Sequence, residues 1–359
     1  MSAWKRSLQF LVLLVSLSCL AVFAGCLSGG SGNTSGPVHL QGAGASFPSP
    51  LYQKWLSEYG KLHSDVKIDY QSTGSGAGIK QIKEQTIDFG ASDAPMKDED
   101  LKSAPAEIVH IPTVLGAVVL TYNLEGVTQT LHFSPELIAD IFLGKIKKWN
   151  DPRIAADNAG AKLPVADITV VHRSDSSGTS AVFTDYLSKV SPEWKEKVGA
   201  GTAPSWPVGL GGKGNEGVTG QIKNTPNTIG YVELIYAVQN KLPVAQIKNA
   251  SGAFVEPTSD SVAAAAAASA ANMPDDLRIS ITNAVGASAY PISSYTYILA
   301  YKNQKDAAKG KVLVDFLWWG IHDGTSFAKE LSYVPLPADI VKRAEVKISS
   351  ITAGGAPLR

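Results

Sequence analysis

The chain has 359 residues, enough for two ordinary domains, and 44% of them are hydrophobic, enough for sizeable cores. Its 32 basic and 32 acidic residues cancel. No basic excess therefore calls for nucleic acid or an anionic membrane surface.

Lys5 and Arg6 precede an apolar run from Leu8 to Ala24, interrupted only by Gln9, Ser16, Ser18 and Cys19. A basic region, a hydrophobic region and small residues in that order make residues 1–25 a signal peptide. A membrane-spanning helix needs about 20 apolar residues, and this run is slightly short. It ends in Phe23-Ala24-Gly25-Cys26, which resembles a bacterial lipobox with Phe23 in place of the usual leucine. If Cys26 is the lipidated first residue, Cys19 leaves with the signal. The mature chain then has no free thiol and no disulfide, and packing alone must hold it. Cleavage after Ala24 by an ordinary signal peptidase is the competing reading. Residues 26–36 form a flexible Gly/Ser tether. Losing Lys5 and Arg6 leaves 30 basic against 32 acidic residues, a formal charge of −2.

Beyond the tether, short strands alternate with helices. A strand at Val38 to Leu40 precedes GAGASFPSP and a helix carrying Leu51, Tyr52, Trp55, Leu56 and Tyr59. VKIDYQ alternates as a strand; TGSGAG follows, then a helix with Ile79 and Ile82. IDFGASDAP is a short strand into a turn, with DED at a helix start. EIVHIPTVLGAVVLTYN is β-branched and apolar, one or two buried strands. SPELIADIFLGKIKKW predicts a helix ending near Gly144. DITVVHR is a strand, and Val182, Phe183, Tyr186, Leu187 and Val190 then fall at helical spacing. GYVELIYAVQ reads as strand into helix, and SVAAAAAASAAN as a packing helix capped by Ser261. YPISSYTYILAYK is a strand, KVLVDFLWWGIHDG a helix stopped by glycine, and PADIVKRAEVKI a last helix. The alternation predicts α/β domains with mostly parallel central strands.

Four of the loops share one grammar. Ser46 and Phe47 follow a Gly-Ala-Gly-Ala turn; Ser75 stands among glycines; Asp93 lies in Gly-Ala-Ser-Asp-Ala-Pro; Ser177-Gly178-Thr179 opens a helix. Each reads as a strand-to-helix junction with a hydroxyl or carboxylate near the helix start. The plain reading is N-capping, with glycines permitting the tight turns. A second reading is an oxyanion site. First-turn N–H groups are unpaired and sit at the positive end of the helix dipole. Hydroxyls can donate to the same anion, and Arg173 can supply a planar fork, held in place by Asp175. Asp93 suits such a site only if the ligand keeps a proton. It would accept the O–H of a protonated phosphate and repel sulfate.

These residues resemble the periplasmic phosphate-binding protein of the phosphate-specific ABC transport system. The resemblance is carried by GAGASFPSPLYQKW, YQSTGSGAGIKQI, DFGASDAP, PTVLGAVVL, LGKIKKWND, VVHRSDSSGTSAVFTDYL, WPVGLGGKGNEGV, IGYVE and YPISSYTYIL, from about residue 40 to about residue 300. It implies phosphate ligands at Ser46, Phe47 (through its backbone N–H), Ser75, Asp93, Arg173, Ser177, Gly178 and Thr179, with Asp175 orienting Arg173. The family commonly has threonine where Ser46 stands, and the hydroxyl is retained. His172 stands where a second basic residue often occurs and Ser176 where glycine often does; neither is assigned a ligand role. The implied fold is two α/β lobes joined by two crossing strands, near Thr113 to Leu120 and Gly286 to Ser293. Lobe I is then residues 37–115 and 291–359, and lobe II residues 116–290. Phosphate in the cleft bridges the lobes and favours the closed state. The resemblance further implies an extracytoplasmic carrier, anchored through Cys26, that delivers phosphate to membrane permease subunits. It is expected to be a monomer and not an enzyme, with no cofactor, metal or nucleic acid.

The rival readings are weaker. His172, Asp175 and Ser177 on one short loop could hardly orient each other as a catalytic triad, and no serine fits G-x-S-x-G. Gly209 to Gly214 matches G-x-G-x-x-G but follows a poor strand, so it reads as a structural glycine loop. The six histidines are scattered rather than paired at ligand spacing. A carrier for sulfate, molybdate or tungstate would share the architecture, and Asp93 argues against it. A phosphatase of related fold would need a nucleophile or metal pair that the sequence does not offer.

Overall fold

The computed structural model describes residues 37–359. The expected signal peptide, the tether and Cys26 lie outside the described residues. Along the chain, β1 (Val38–Gly44) feeds α1 (Ser49–Leu62), and β2 (Val66–Ser72) feeds α2 (Ser75–Lys83). β3 (Phe89–Ser92) enters a turn before the short α3 (Asp98–Lys102), and β4 (Ile108–Asn123) follows as one unbroken strand. After α4 (Pro135–Phe142) come β5 (Thr169–Arg173) with α5 (Gly178–Val190), and β6 (Leu210–Gly212) with α6 (Gly214–Asn224). β7 (Thr228–Glu233) then passes into α7 (Leu234–Gln239). The chain closes with α8 (Ser259–Ser269), β8 (Ser293–Tyr301), α9 (Ala307–Ile321), α10 (Thr325–Glu330) and α11 (Ala338–Ser349).

The strands join in the order β2-β1-β3-β8-β4-β7-β5-β6. The flanks are parallel: β1 with β2 and β3, β5 with β6 and β7. The centre is antiparallel, contrary to the mostly parallel sheet expected: β8 with β3 and β4, and β4 with β7. Local βα alternation cannot reveal that two long strands from distant parts of the chain will pair at the middle. β4 pairs with β8 as far as Ala117 and with β7 from Val118 onward. One strand thus belongs to both halves of the sheet, and helices cover its faces, so Ile108 to Tyr122 are buried without alternation. Pro112, which has no N–H to give a ladder, lies beside a register shift between Thr296 and Tyr297. On its other side β8 pairs Tyr297 with Ser92 of β3, and that register sets Thr296 beside Asp93.

Periodicity explains the helices. α1 buries Leu51, Tyr52, Trp55 and Tyr59, one stripe at i, i+3/i+4 spacing. Trp55 donates its indole N–H to the Gly324 carbonyl at 2.8 Å, and Gly320 lets the ring lie against α9. α5 buries Val182, Phe183, Tyr186 and Leu187 as its spacing predicts. Each such apolar side chain contributes about 1.5–3 kcal/mol on burial.

Two termini differ from expectation. α8 is capped by Thr258, not Ser261; Ser261 is its capping-box partner three residues on, bonding back to the Thr258 N–H at 2.9 Å. α9 ends at His322 without a glycine cap, and Gly324 instead heads α10. His172, read as a loop residue, is in β5 and stacks on Trp206 with centroids 4.9 Å apart. Among the described residues, no helix is long and apolar enough to cross a membrane.

Candidate functional site

The loops at the ends of β1, β2, β3 and β5 meet at one buried place. Gly44 makes this possible from one side. Its φ is +146°, and a Cβ there would lie 2.1 Å from the Ala91 carbonyl oxygen. Gly178 does so from the other: a Cβ would lie 2.3 Å from Ser75 Oγ and 2.5 Å from Asp93 Oδ2. The first turn of α5 thus touches loops from the opposite half of the sheet.

Ser46, Phe47, Ser75, Asp93, Arg173, Ser177, Gly178 and Thr179 are all buried there. The capping reading separates among them. Ser177 does cap α5, accepting the Ser180 N–H at 3.0 Å, and keeps its own hydroxyl hydrogen. Ser46 and Ser75 do not cap the helices that follow them, since α1 and α2 start without a side-chain cap. Asp93 is not at a helix start at all; α3 begins only at Asp98.

Arg173, the last residue of β5, holds Asp175 by a two-pronged contact, Nε to Oδ1 at 2.8 Å and Nη2 to Oδ2 at 2.6 Å. Its Nη1 donates to Thr179 Oγ1 at 3.3 Å. Of five guanidinium hydrogens, one on each terminal nitrogen remains. Asp175 Oδ1 also accepts the Gly214 N–H at 3.0 Å. Burial alone would raise the Asp175 carboxyl, but the bonds from Arg173 and Gly214 win and hold it below its ordinary value. The guanidinium is oriented, and its charge is locally cancelled.

Asp93 is different. Its N–H reaches Ser75 Oγ at 3.3 Å, and Thr296 donates to Oδ1 at 2.9 Å. Oδ2 is buried with no hydrogen-bond partner. Burial pushes the carboxyl from 3.8 up to about 7, against the opposing pulls of Thr296 and Arg173. A costly orphan acceptor thus sits among hydroxyl, guanidinium and helix-start donors. Glu233, at the end of β7, is also buried: Oε2 accepts the Ile235 N–H at 2.9 Å, and burial drives its carboxyl well above the ordinary range.

The structure adds residues that the sequence did not single out. Asn215 heads α6 and bonds to both Ser46 and Thr179. Tyr236 donates its hydroxyl to the Ser46 carbonyl at 2.6 Å. The signal for Asn215 was available: GLGGKGN before EGVTGQI is a fifth junction with the same grammar. Reading it as a structural glycine loop hid it. Thr296 lies inside a strand, where no local signal marks it. Other bonds also tie the two sides together, Gly76 N–H to the Ser176 carbonyl at 2.9 Å and Ser72 Oγ to Glu216 at 3.2 Å.

A buried ring of donors around the orphan oxygen of Asp93, between two α/β halves that share their central strands, defines a two-lobed solute-binding protein. Residues 31–318 match the model of the PBP superfamily domain. The phosphate-binding protein PstS of Xylella fastidiosa (strain 9a5c) is 48% identical over 309 residues, 86% of this chain and 84% of that protein. The phosphate-binding protein PstS of Methanocaldococcus jannaschii is 40% identical, covering 93% of this chain and 94% of its own. A solved phosphate-binding protein from Stenotrophomonas maltophilia shares the fold at 21% identity, with a TM-score of 0.67 over 86% of this chain and 93% of that one. The chain belongs to the PstS phosphate-binding protein family within the PBP superfamily.

Proposed function

We propose that the protein captures inorganic phosphate between its two lobes and hands it to the permease subunits of an ABC importer. The observation that carries this is Asp93 Oδ2, a buried acceptor without a partner facing a set of donors. Phosphate, like its isostere arsenate, brings both the acceptors those donors need and a hydrogen for that oxygen at neutral pH. Sulfate and molybdate bring no hydrogen. In this reading Ser46, Phe47 N–H, Ser75, Arg173, Ser177, Gly178 and Thr179 bind the anion, Asp175 orients Arg173, and no residue serves as a catalyst. His172 supports that last point, since its ring stacks on Trp206 and its Nδ1 bonds the Arg173 carbonyl at 2.9 Å. Titration calorimetry of residues 37–359 with phosphate, arsenate, sulfate and molybdate tests the assignment. Near pH 8, phosphate and its isostere arsenate should bind far more tightly than the others; equal affinity for sulfate there sinks it.

The lobes in this reading are residues 37–115 with 291–359, and 116–290. The partner change of β4 at Val118, whose N–H bonds the Ile292 carbonyl at 2.9 Å, supports these boundaries. The carrier acts as a monomer outside the cytoplasm, exported by the 1–25 signal and tethered through a lipid on Cys26. The FAGC sequence and the Gly/Ser tether support the anchor. Cys26→Ser should move the protein from the membrane to the soluble fraction. A wild-type protein found wholly soluble after export would favour ordinary signal cleavage.

A further inference from the structure

Asn215 is fully buried, and its polar atoms are all engaged. Its Oδ1 accepts the Glu233 N–H at 2.9 Å. A backbone N–H can only donate, so this bond fixes which end of the amide is oxygen. Nδ2 is therefore a donor, and its two hydrogens go to Ser46 Oγ at 2.9 Å and Thr179 Oγ1 at 3.2 Å. The Asn215 backbone N–H also donates to Ser46 Oγ, at 3.1 Å.

A hydroxyl has two lone pairs and one hydrogen. Asn215 fills both lone pairs of Ser46 Oγ. At Thr179 Oγ1, Asn215 fills one and Arg173 Nη1 the other, at 3.3 Å. Each hydroxyl has only its hydrogen left to offer. We infer that Asn215 is a specificity-determining residue that turns the Ser46 and Thr179 hydroxyls into obligate donors. A ligand oxygen facing them has to accept, which an unprotonated oxygen does best, and a proton on the bound anion is steered to the oxygen that faces Asp93. Ser46 follows β1 and Thr179 opens α5, so one side chain sets this polarity on both sides of the site.

The inference rests on the phosphate reading. It is tested by a double-mutant cycle read by calorimetry with inorganic phosphate. Asn215→Asp keeps the shape and the bond from Glu233, but puts an acceptor where the donor was. The two hydroxyls would turn their hydrogens toward that oxygen and away from the anion. In the wild-type background Ser46→Ala should weaken phosphate binding about 10- to 100-fold, the worth of a hydrogen bond to a charged group. In the Asn215→Asp background it should cost less than about threefold, because the Ser46 hydrogen no longer serves the ligand. Additive losses would overturn the inference, since a merely structural Asn215 would leave the cost of Ser46→Ala unchanged. If Asn215→Asp does not fold or binds too weakly to titrate, the cycle with Asn215→Ala carries the same test. There, too, Ser46→Ala must cost less than in the wild-type background. A wild-type protein that takes no phosphate would defeat the functional reading itself, a different result from an additive cycle.

Discussion

Arg173→Ala should weaken phosphate binding by at least about 100-fold. Its two free hydrogens would each make a charge-assisted bond worth about 1.5–3 kcal/mol, and two such bonds more than account for the loss. The formal charge goes with them. A further penalty comes from Asp175. With Arg173 in place, that carboxylate is answered by the two-pronged contact and the Gly214 N–H. Without it, a half-buried carboxylate faces the ligand with its charge uncompensated. Arg173→Lys should recover little, because an ammonium cannot span Asp175, Thr179 and the anion from one plane. Calorimetry of both variants, with thermal melting to confirm folding, checks this. An affinity for Arg173→Ala within twofold of wild type would remove Arg173 from the ligand set. Arg173→Ala with Asp175→Ala should bind better than Arg173→Ala alone if the exposed carboxylate contributes as argued.

Much of this architecture was legible because local physics governs it. The helical stripe of α1 and the apolar length of β4 are written in side-chain periodicity, and both formed as read. The junction loops carry their own marks, a strand running into glycines and hydroxyls at a helix start. The antiparallel centre was not legible, because the pairing of β4 with β8 depends on residues far apart in sequence. The same reason hid Thr296. Its place beside Asp93 follows from the pairing of β8 with β3, which sets Tyr297 against Ser92, a property of register rather than of any local motif. Asn215 was missed for another reason. A glycine-rich run admits many structures, and only the bonds across to Ser46 and Thr179 separate a working helix start from a turn. Glu233 has no sequence signal either, since an acidic residue ending a strand is ordinarily solvated.

Asp93→Asn should lower the ratio of phosphate to sulfate affinity by at least about 100-fold near pH 8. Two like charges held at 4 Å repel by about 4 kcal/mol at an effective dielectric near 20, close to a thousandfold in affinity. Wild-type Asp93 imposes that repulsion on sulfate, whereas phosphate escapes part of it by donating a hydrogen to Oδ2. An amide of the same size removes the charge and can present N–H donors to sulfate oxygens, while its carbonyl can still accept the phosphate hydrogen. The raised carboxyl gives the effect a pH signature. Wild-type Asp93 can hold sulfate only when protonated, so above about pH 7 sulfate binding must take up a proton. Its affinity should then fall about tenfold per pH unit, and in Asp93→Asn it should not. The same group predicts the stability of the ligand-free protein. The folded carboxyl titrates near 7 rather than 3.8, so the folded state binds the proton more tightly than the unfolded chain. Its contribution is fully present below about pH 4 and is lost as pH rises to about 7, a change of about 4 kcal/mol that Asp93→Asn should abolish. Sulfate and phosphate titrations from pH 5.5 to 8.5, at one ionic strength because exposed charges are screened, measure the first effect. Denaturant unfolding of both proteins from about pH 4 to 8.5 measures the second. A variant with an unchanged phosphate-to-sulfate ratio would return selectivity to the neutral donors and the shape of the cleft, with Asp93 reduced to a structural carboxylate bonded to Thr296.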